Sequence, residues 1–250
     1  MEKKKPYGTV LIKASKILDY LAENPDVSLQ VIAKGVEMTP PTVLKILDTL
    51  LRIGYVNKNS EKNYRLGAKL IRYANKNIEQ MDLVELTLPF LEKLQKKIDE
   101  TIHLGIIDND EILYVNKLEP KHQTIRMSSK IGITRPLYNS AMGKAVLAEF
   151  SEEQYTAYLE THPLVPYTKY TITNALRLKK EIQTVKESHV AFDDEEIERD
   201  IFCIGASIVK NDQAIGAFSV SMPKYRLTDK LKKEIIHALT QTKKEIEKRI

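Results

Sequence analysis

Residues 39–66 read TPPTVLKILDTLLRIGYVNKNSEKNYRL, and this stretch decides the first domain. Val43, Ile46, Leu47, Leu50 and Leu51 recur at the three-and-four spacing of an amphipathic helix. Thr39 stands before that helix as a cap. Pro40 and Pro41 fall in its first turn, where a missing N–H has no helical partner to lose, and Gly54 stops it. Tyr55–Lys58 and Asn63–Leu66 are β-prone runs around the polar tip Asn59-Ser60-Glu61-Lys62, which predicts a hairpin. Upstream, Val10, Ile12, Ile17, Leu18 and Leu21 mark a first helix, ended by Asn24-Pro25-Asp26. Ser28 caps a short second helix through Leu29, Val31, Ile32 and Ala33, and Gly35 with Val36-Glu37-Met38 forms a tight turn. Three helices followed by a basic hairpin are the plan of a winged helix-turn-helix.

A helix of this kind reads base edges in the major groove with its N-terminal residues. Here those are Thr39, Pro40, Pro41, Thr42 and Lys45. Thr42 suits a phosphate or a base edge, and Lys45 a phosphate or the O6/N7 pair of guanine. Lys58, Lys62 and Arg65 put positive charge on the hairpin, where a wing follows the backbone and supplies affinity more than sequence choice. Charge placement agrees. Residues 1–80 hold 14 Lys/Arg against 8 Asp/Glu, which leaves 25 against 26 for the remainder. The competing readings are a Lys-rich solvated surface and a small helical domain that binds protein.

From Ala68 to about Glu100 the pattern is helical again, broken near Met81-Asp82 and at Pro89. β-prone runs follow at Ile102–Ile107, Ile112–Leu118 and Ile125–Met127, then helical segments near 140–149, 151–160 and 174–188. Two more strands, near Cys203–Val209 and Ala214–Met222, precede a terminal amphipathic helix from about Thr228. Antiparallel strands bracketed by helices make the second domain α+β. The expected organisation is a DNA-binding domain over 1–67, a linker helix over 68–82 and a second domain over 83–250.

At 250 residues, 42% hydrophobic and 29% charged, the composition is that of a globular chain. No run of about 18 apolar residues predicts a membrane span, and the Lys-rich start is not followed by a signal-type apolar stretch. A single cysteine, Cys203, forms no internal disulfide, which fits a reducing cytoplasm. There is no Gly-rich phosphate loop and no serine nucleophile elbow, so no cofactor is expected. His103, Asp193 and Cys203 are the set a catalytic or metal-binding reading would use, but their spacing matches no zinc pattern. The acidic run Asp193–Glu196 reads as a solvated loop with one inward residue.

Blocks along both domains carry a resemblance. In the first they are Val31-Ile32-Ala33-Lys34, Thr42-Val43, Lys45-Ile46-Leu47, Gly54-Tyr55-Val56 and Asn63-Tyr64-Arg65-Leu66-Gly67. In the second they are Glu100–Gly105, Ile112–Val115, Arg126-Met127-Ser128, Ile131-Gly132 with Pro136-Leu137, and Ser140–Ala145. Asp193–Glu196, Cys203-Ile204 and Gly216–Ser221 complete the series. In this order and spacing the chain resembles the IclR (isocitrate lyase regulator) family of transcription factors over nearly its full length. The resemblance implies a winged helix, a linker helix and a GAF-like effector domain. It implies homodimers or tetramers on palindromic double-stranded operator DNA, no enzymatic activity, and small carboxylate or sugar-acid-like effectors.

Carried over by position, the resemblance puts Met127, Ala141, Met142, Asp193, Ile201, Cys203, Ser219 and Ser221 around the effector. Ser219 and Ser221, two apart on a strand, share a face. With free N–H groups at the start of the Gly143 helix they could hold a carboxylate without a metal; the lesser alternative is the polar outer face of an edge strand. The chain departs from the family pattern at Pro41, where serine is common, and at Lys45, where arginine is common. It departs again at His189-Val190-Ala191 and at Met222, both positions where glycine is usual. Arg135 stands where an apolar pocket residue is common. Facing in, it favours an anionic effector; facing out, it is a solvated charge.

The expected function is a ligand-responsive repressor of a catabolic operon. The alternatives are an enzyme with an N-terminal targeting or assembly module and a protein-interaction scaffold.

Overall fold

The computed structural model describes residues 7–79, 82–125 and 127–250. The chain forms two compact units, Met1–Gln80 and Met81–Ile250.

In the first unit, α1 (Thr9–Glu23), α2 (Leu29–Gly35) and α3 (Pro40–Arg52) precede β1 (Val56–Lys58) and β2 (Tyr64–Leu66). α4 (Ala68–Glu79) follows; residues 80 and 81 of the expected linker lie outside the described residues. The core is Ile17, Leu21, Ile32, Val43, Leu47, Leu50, Val56 and Tyr64, the inward faces of all three helices and the hairpin. β1 and β2 pair antiparallel, and Val27 adds a bridge to Tyr64, which fastens the wing to the α1–α2 turn.

Details of the sequence reading change. Val10 and Ile12 are exposed, so the first turn of α1 adds nothing to the core. Gly35 is the last residue of α2 and not the turn residue; the left-handed backbone falls on Glu37. Gly35 is needed for space, because a Cβ there would lie 2.1 Å from the Tyr20 ring. Ser28 and Thr39 sit at the N-cap positions without making a side-chain cap bond. The hydroxyl of Thr39 instead lies 2.9 Å from that of Thr42.

The second unit is built on a six-stranded antiparallel sheet in the order β5-β4-β3-β8-β7-β6. Its strands are β3 (Thr101–Asp108), β4 (Glu111–Leu118), β5 (Thr134–Pro136), β6 (Ala191–Asp194), β7 (Ile201–Lys210) and β8 (Gln213–Pro223). α5 (Asp82–Ile98) and α9 (Asp229–Glu247) cover one face, burying Leu91, Leu94, Phe218, Val220, Ile235 and Leu239. On the other face α6 (Ala141–Leu147) lies across β7 and β8, backed by α8 (Ala175–Ser188), with α7 (Glu152–Thr161) between them in sequence.

Three expectations fail here. Pro89 does not break α5, because buried Leu91 and Leu94 and partly buried Leu83 and Phe90 on both sides of it outweigh one absent helical bond. Ile125 and Met127 lie in no strand, Arg126 is outside the described residues, and the strand added to β4 is the three-residue β5. The acidic run is not a solvated loop. Asp193 and Asp194 end β6, and Asp193, Glu195 and Glu196 are all buried.

Candidate DNA-reading face and effector cavity

α3 turns Val43, Ile46, Leu47 and Leu50 inward, so its opposite face carries Pro41, Leu44, Lys45, Asp48 and Thr49, all exposed. Pro40 and Thr42 are half-buried flanks of that face, and Thr39 is exposed before it. Lys58, Lys62 and Arg65 are exposed on the hairpin. Strand alternation separates them. Lys58, paired with Tyr64, holds its ammonium 4.9 Å from that ring's centroid, whereas Arg65 is paired with Asn57 on the other face. The tip is preorganised by Asn59, whose side-chain oxygen accepts from the backbone N–H of Glu61 and of Asn63 at 3.0 and 2.9 Å. Leu44 falls outside the apolar face that periodicity marks, and an exposed leucine carries no polar signal that would have named it a DNA-facing residue.

The second unit holds a small cavity, about 40 Å³, to whose wall every strand of the sheet contributes. Asp193 (β6), Ile201 and Cys203 (β7), Ser221 (β8), His103 (β3), Tyr114 (β4) and Arg135 (β5) line it, with Met127, Ser128 and Ser129 from the loop after β4 and Ile197 and Glu198 from the loop after β6. Register explains the row. Asp193 is directly opposite Cys203, and Cys203 opposite Ser221. His103 then bridges Ser221 Oγ from Nδ1 at 3.2 Å and Ser129 Oγ from Nε2 at 2.7 Å, and its ring packs 4.8 Å from that of Tyr114. Lys117 closes the loop side by donating to the carbonyls of Met127 and Ser129, each at 2.7 Å.

Ala141, Met142 and Ser219 fall outside the cavity wall. The start of α6 is seated directly on β7, where a Cβ at Gly205 would come within 2.8 Å of Ala141's backbone. Ser219 is paired with Gly205 and so lies beneath that contact. The helix N-terminus is not open to a carboxylate either: Gly143 N donates to Ser140 Oγ and Lys144 N to Ser140 O. His103 and Tyr114 were missed as lining residues. The signal was there for His103, which stands between buried Ile102 and Leu104 and must therefore face the other side of the sheet.

Burial first, then the nearby Lys117 and Arg135 charges, depress the His103 imidazole to about 3, so it is neutral at ordinary pH. Burial likewise holds the Tyr114 phenol protonated and pushes the Asp193 carboxyl up to about 7. The Cys203 thiol is raised well above its ordinary range by burial and then by Asp193. It is half-buried only in the sense that its free surface faces the cavity. The wall therefore offers the Arg135 guanidinium together with the neutral His103, Tyr114 and Cys203 groups and the carboxyls of Asp193 and Glu198. His103, Asp193 and Cys203 do meet at one cavity, but not as catalytic machinery: both imidazole nitrogens are engaged by serines and the thiol is not ionised. Among the described residues no group of His, Cys, Asp and Glu could hold a metal ion.

Residues 10–60 match the family model described as the IclR helix-turn-helix domain, and residues 75–248 match that described as bacterial transcriptional regulator IclR C-terminal. The chain belongs to the IclR family. It is 33% identical over 234 residues to an uncharacterized HTH-type transcriptional regulator of Haemophilus influenzae, covering 91% of this chain and 87% of that one. It is 29% identical over 224 residues to the transcriptional repressor IclR of Escherichia coli, covering 88% and 81%. The crystal structure of Thermotoga maritima IclR superposes with a TM-score of 0.76 at 32% identity, covering 96% of this chain and 98% of that one. As an IclR-family member the chain is a DNA-binding transcriptional regulator and not an enzyme. Among its described residues no helix is long and apolar enough to cross a membrane.

Proposed function

We propose that this regulator represses a catabolic operon in the cytoplasm and is released from its operator by a small carboxylate bound at Arg135. The observation that carries this reading is the position of Arg135, the one cationic side chain among the described lining residues, in the wall of a small polar cavity. Among the described residues no carboxylate lies within salt-bridge distance of it, and a guanidinium so placed favours a planar anion. A volume of about 40 Å³ is that of about three waters, which favours a compact oxo- or hydroxy-acid over a bulky ligand. Asp193, Cys203, Ser221, Ile201 and Met127 would contact the rest of it. On the DNA side, Thr39, Pro40, Pro41, Thr42 and Lys45 face the major groove and Lys58, Lys62 and Arg65 the phosphates.

The active species is a homodimer or a tetramer of it on a two-fold operator. The apolar side chains that the first unit leaves in solvent, Val10 and Leu11 on α1 and Ile71 on α4, support self-association. The effector acts by population shift: it binds more tightly to the conformer that fits the operator poorly, and its coupling to DNA is the ratio of those affinities.

The test is a thermal-shift screen against short oxo- and hydroxy-acids, sugar acids and aromatic acids, followed by anisotropy on the operator duplex. A hit should raise the melting midpoint and weaken operator binding. Lys45→Ala should weaken binding and lower the salt slope by about 1. Binding that shows no sequence preference, or hits that leave operator affinity unchanged, would overturn the reading.

A further inference from the structure

The N-terminal end of α3 is short of hydrogen-bond donors. Pro40 and Pro41 occupy its first two positions and carry no N–H. The next two amides are already used, Thr42 N donating to Thr39 O at 3.0 Å and Val43 N to the same oxygen at 3.1 Å. The two threonine hydroxyls face each other at 2.9 Å. The usual way a helix start holds a phosphate, through its free amides, is therefore closed here.

What this end presents instead is apolar. Pro41 and Leu44, three residues apart, stand on the outward face, and Leu44 is 39% exposed on a helix whose other leucines at 47 and 50 are buried. Lys45 borders the pair, and the wing lysines and arginine supply the charge that brings a polyanion to this face. Pro41 and Leu44 lie in the opening turns of α3, the end with which a reading helix contacts base edges. In the major groove the apolar feature that distinguishes one base from another is the C5-methyl of thymine.

We infer that Leu44, with Pro41 beside it, is a specificity-determining residue that reads thymine methyl groups, so that each operator half-site carries thymine at one or two positions under the start of α3. This rests on α3 being the reading helix and goes beyond it by naming the base and the contact.

The test uses the full chain and a duplex selected by it from random sequence. Each thymine is replaced singly by deoxyuridine, which removes the methyl and nothing else. At one or two positions per half-site, uridine should weaken binding about fourfold, the worth of one buried methyl-sized group. Leu44→Ala should bind the thymine duplex about as weakly as the wild type binds the uridine duplex, and should lose its sensitivity to uridine at those same positions. Because Leu44 is exposed, the variant should melt with the wild type. Uridine that is silent at every position, or a Leu44→Ala protein that keeps the full uridine penalty, overturns the inference while leaving α3 the reading helix. Failure of the wild type to select any sequence overturns both.

Discussion

His103 on β3 holds its Nε2 atom 2.7 Å from the hydroxyl of Ser129, in the loop that follows β4. That bond ties a buried ring to the segment forming one wall of the effector cavity. Ser129→Ala leaves an imidazole nitrogen without a partner at a site 2% exposed, and such a loss costs about 1–3 kcal/mol. Urea unfolding should show a drop in that range. Ser128→Ala should be nearly silent, since its exposed hydroxyl reaches only Glu198 at 3.3 Å.

The cavity's positive charge gives a second expectation. With a carboxylate ligand from the screen, Arg135→Gln should raise the dissociation constant by roughly 10- to 100-fold, the worth of a charge-assisted pair of about 1.5–3 kcal/mol. Arg135→Lys keeps the charge but not the planar fork, and should fall between the two. Titration calorimetry reads all three proteins. Equal affinity across them would remove Arg135 from the site.

Asp193 makes stability depend on pH. Its carboxyl is raised from 3.8 to about 7, burial being the main cause. Between about pH 4 and 7 the unfolded chain has released this proton while the folded chain retains it. Stability therefore falls as pH rises through that window, by up to ~1.4 kcal/mol per unit, and is flat above it. Glu100, also raised to about 7 by burial, contributes with the same sign. The difference between wild type and Asp193→Asn isolates the first group: unfolding midpoints should fall less between pH 5 and 7 in the variant than in the wild type, and the two should run parallel above about pH 7.

Lys144 and Glu196 form an ion pair with both side chains almost wholly buried, and Glu196 also accepts from Ile172 N at 3.2 Å. Lys144→Met strands a carboxylate in the interior, and breaking such a pair costs about 3–5 kcal/mol. Lys144→Met combined with Glu196→Leu should recover most of the loss. A double variant as unstable as the single one would show that the lysine's other contact, to Glu181 at 3.4 Å, matters more than the pair.

Periodicity made most of this architecture readable. The apolar spacing of α3, the Asn-rich tip of the hairpin and the alternation in β3, β7 and β8 each have one simple solution. What escaped reading was short or charged. β5 is three residues ending in Pro136, and β6 ends in two aspartates, so neither resembles a strand until the sheet supplies its neighbours. The acidic run looked solvated because burial of Glu196 depends on Lys144, 52 residues away in sequence. The cavity row shows the same limit. Asp193, Cys203 and Ser221 align only through the register of three strands, and Ser219 drops out because a helix sits on Gly205.

The outermost strands of the sheet are also its shortest, three residues in β5 and four in β6, against eight to eleven in the four between them. One of the two carries a proline and the other ends in acidic side chains. Among the described residues the two edge strands themselves present only short rows of unpaired backbone donors and acceptors to a neighbour's strand. Such edges are poor templates, and the route by which crowded sheet proteins recruit one another into fibrils is blunted at both ends.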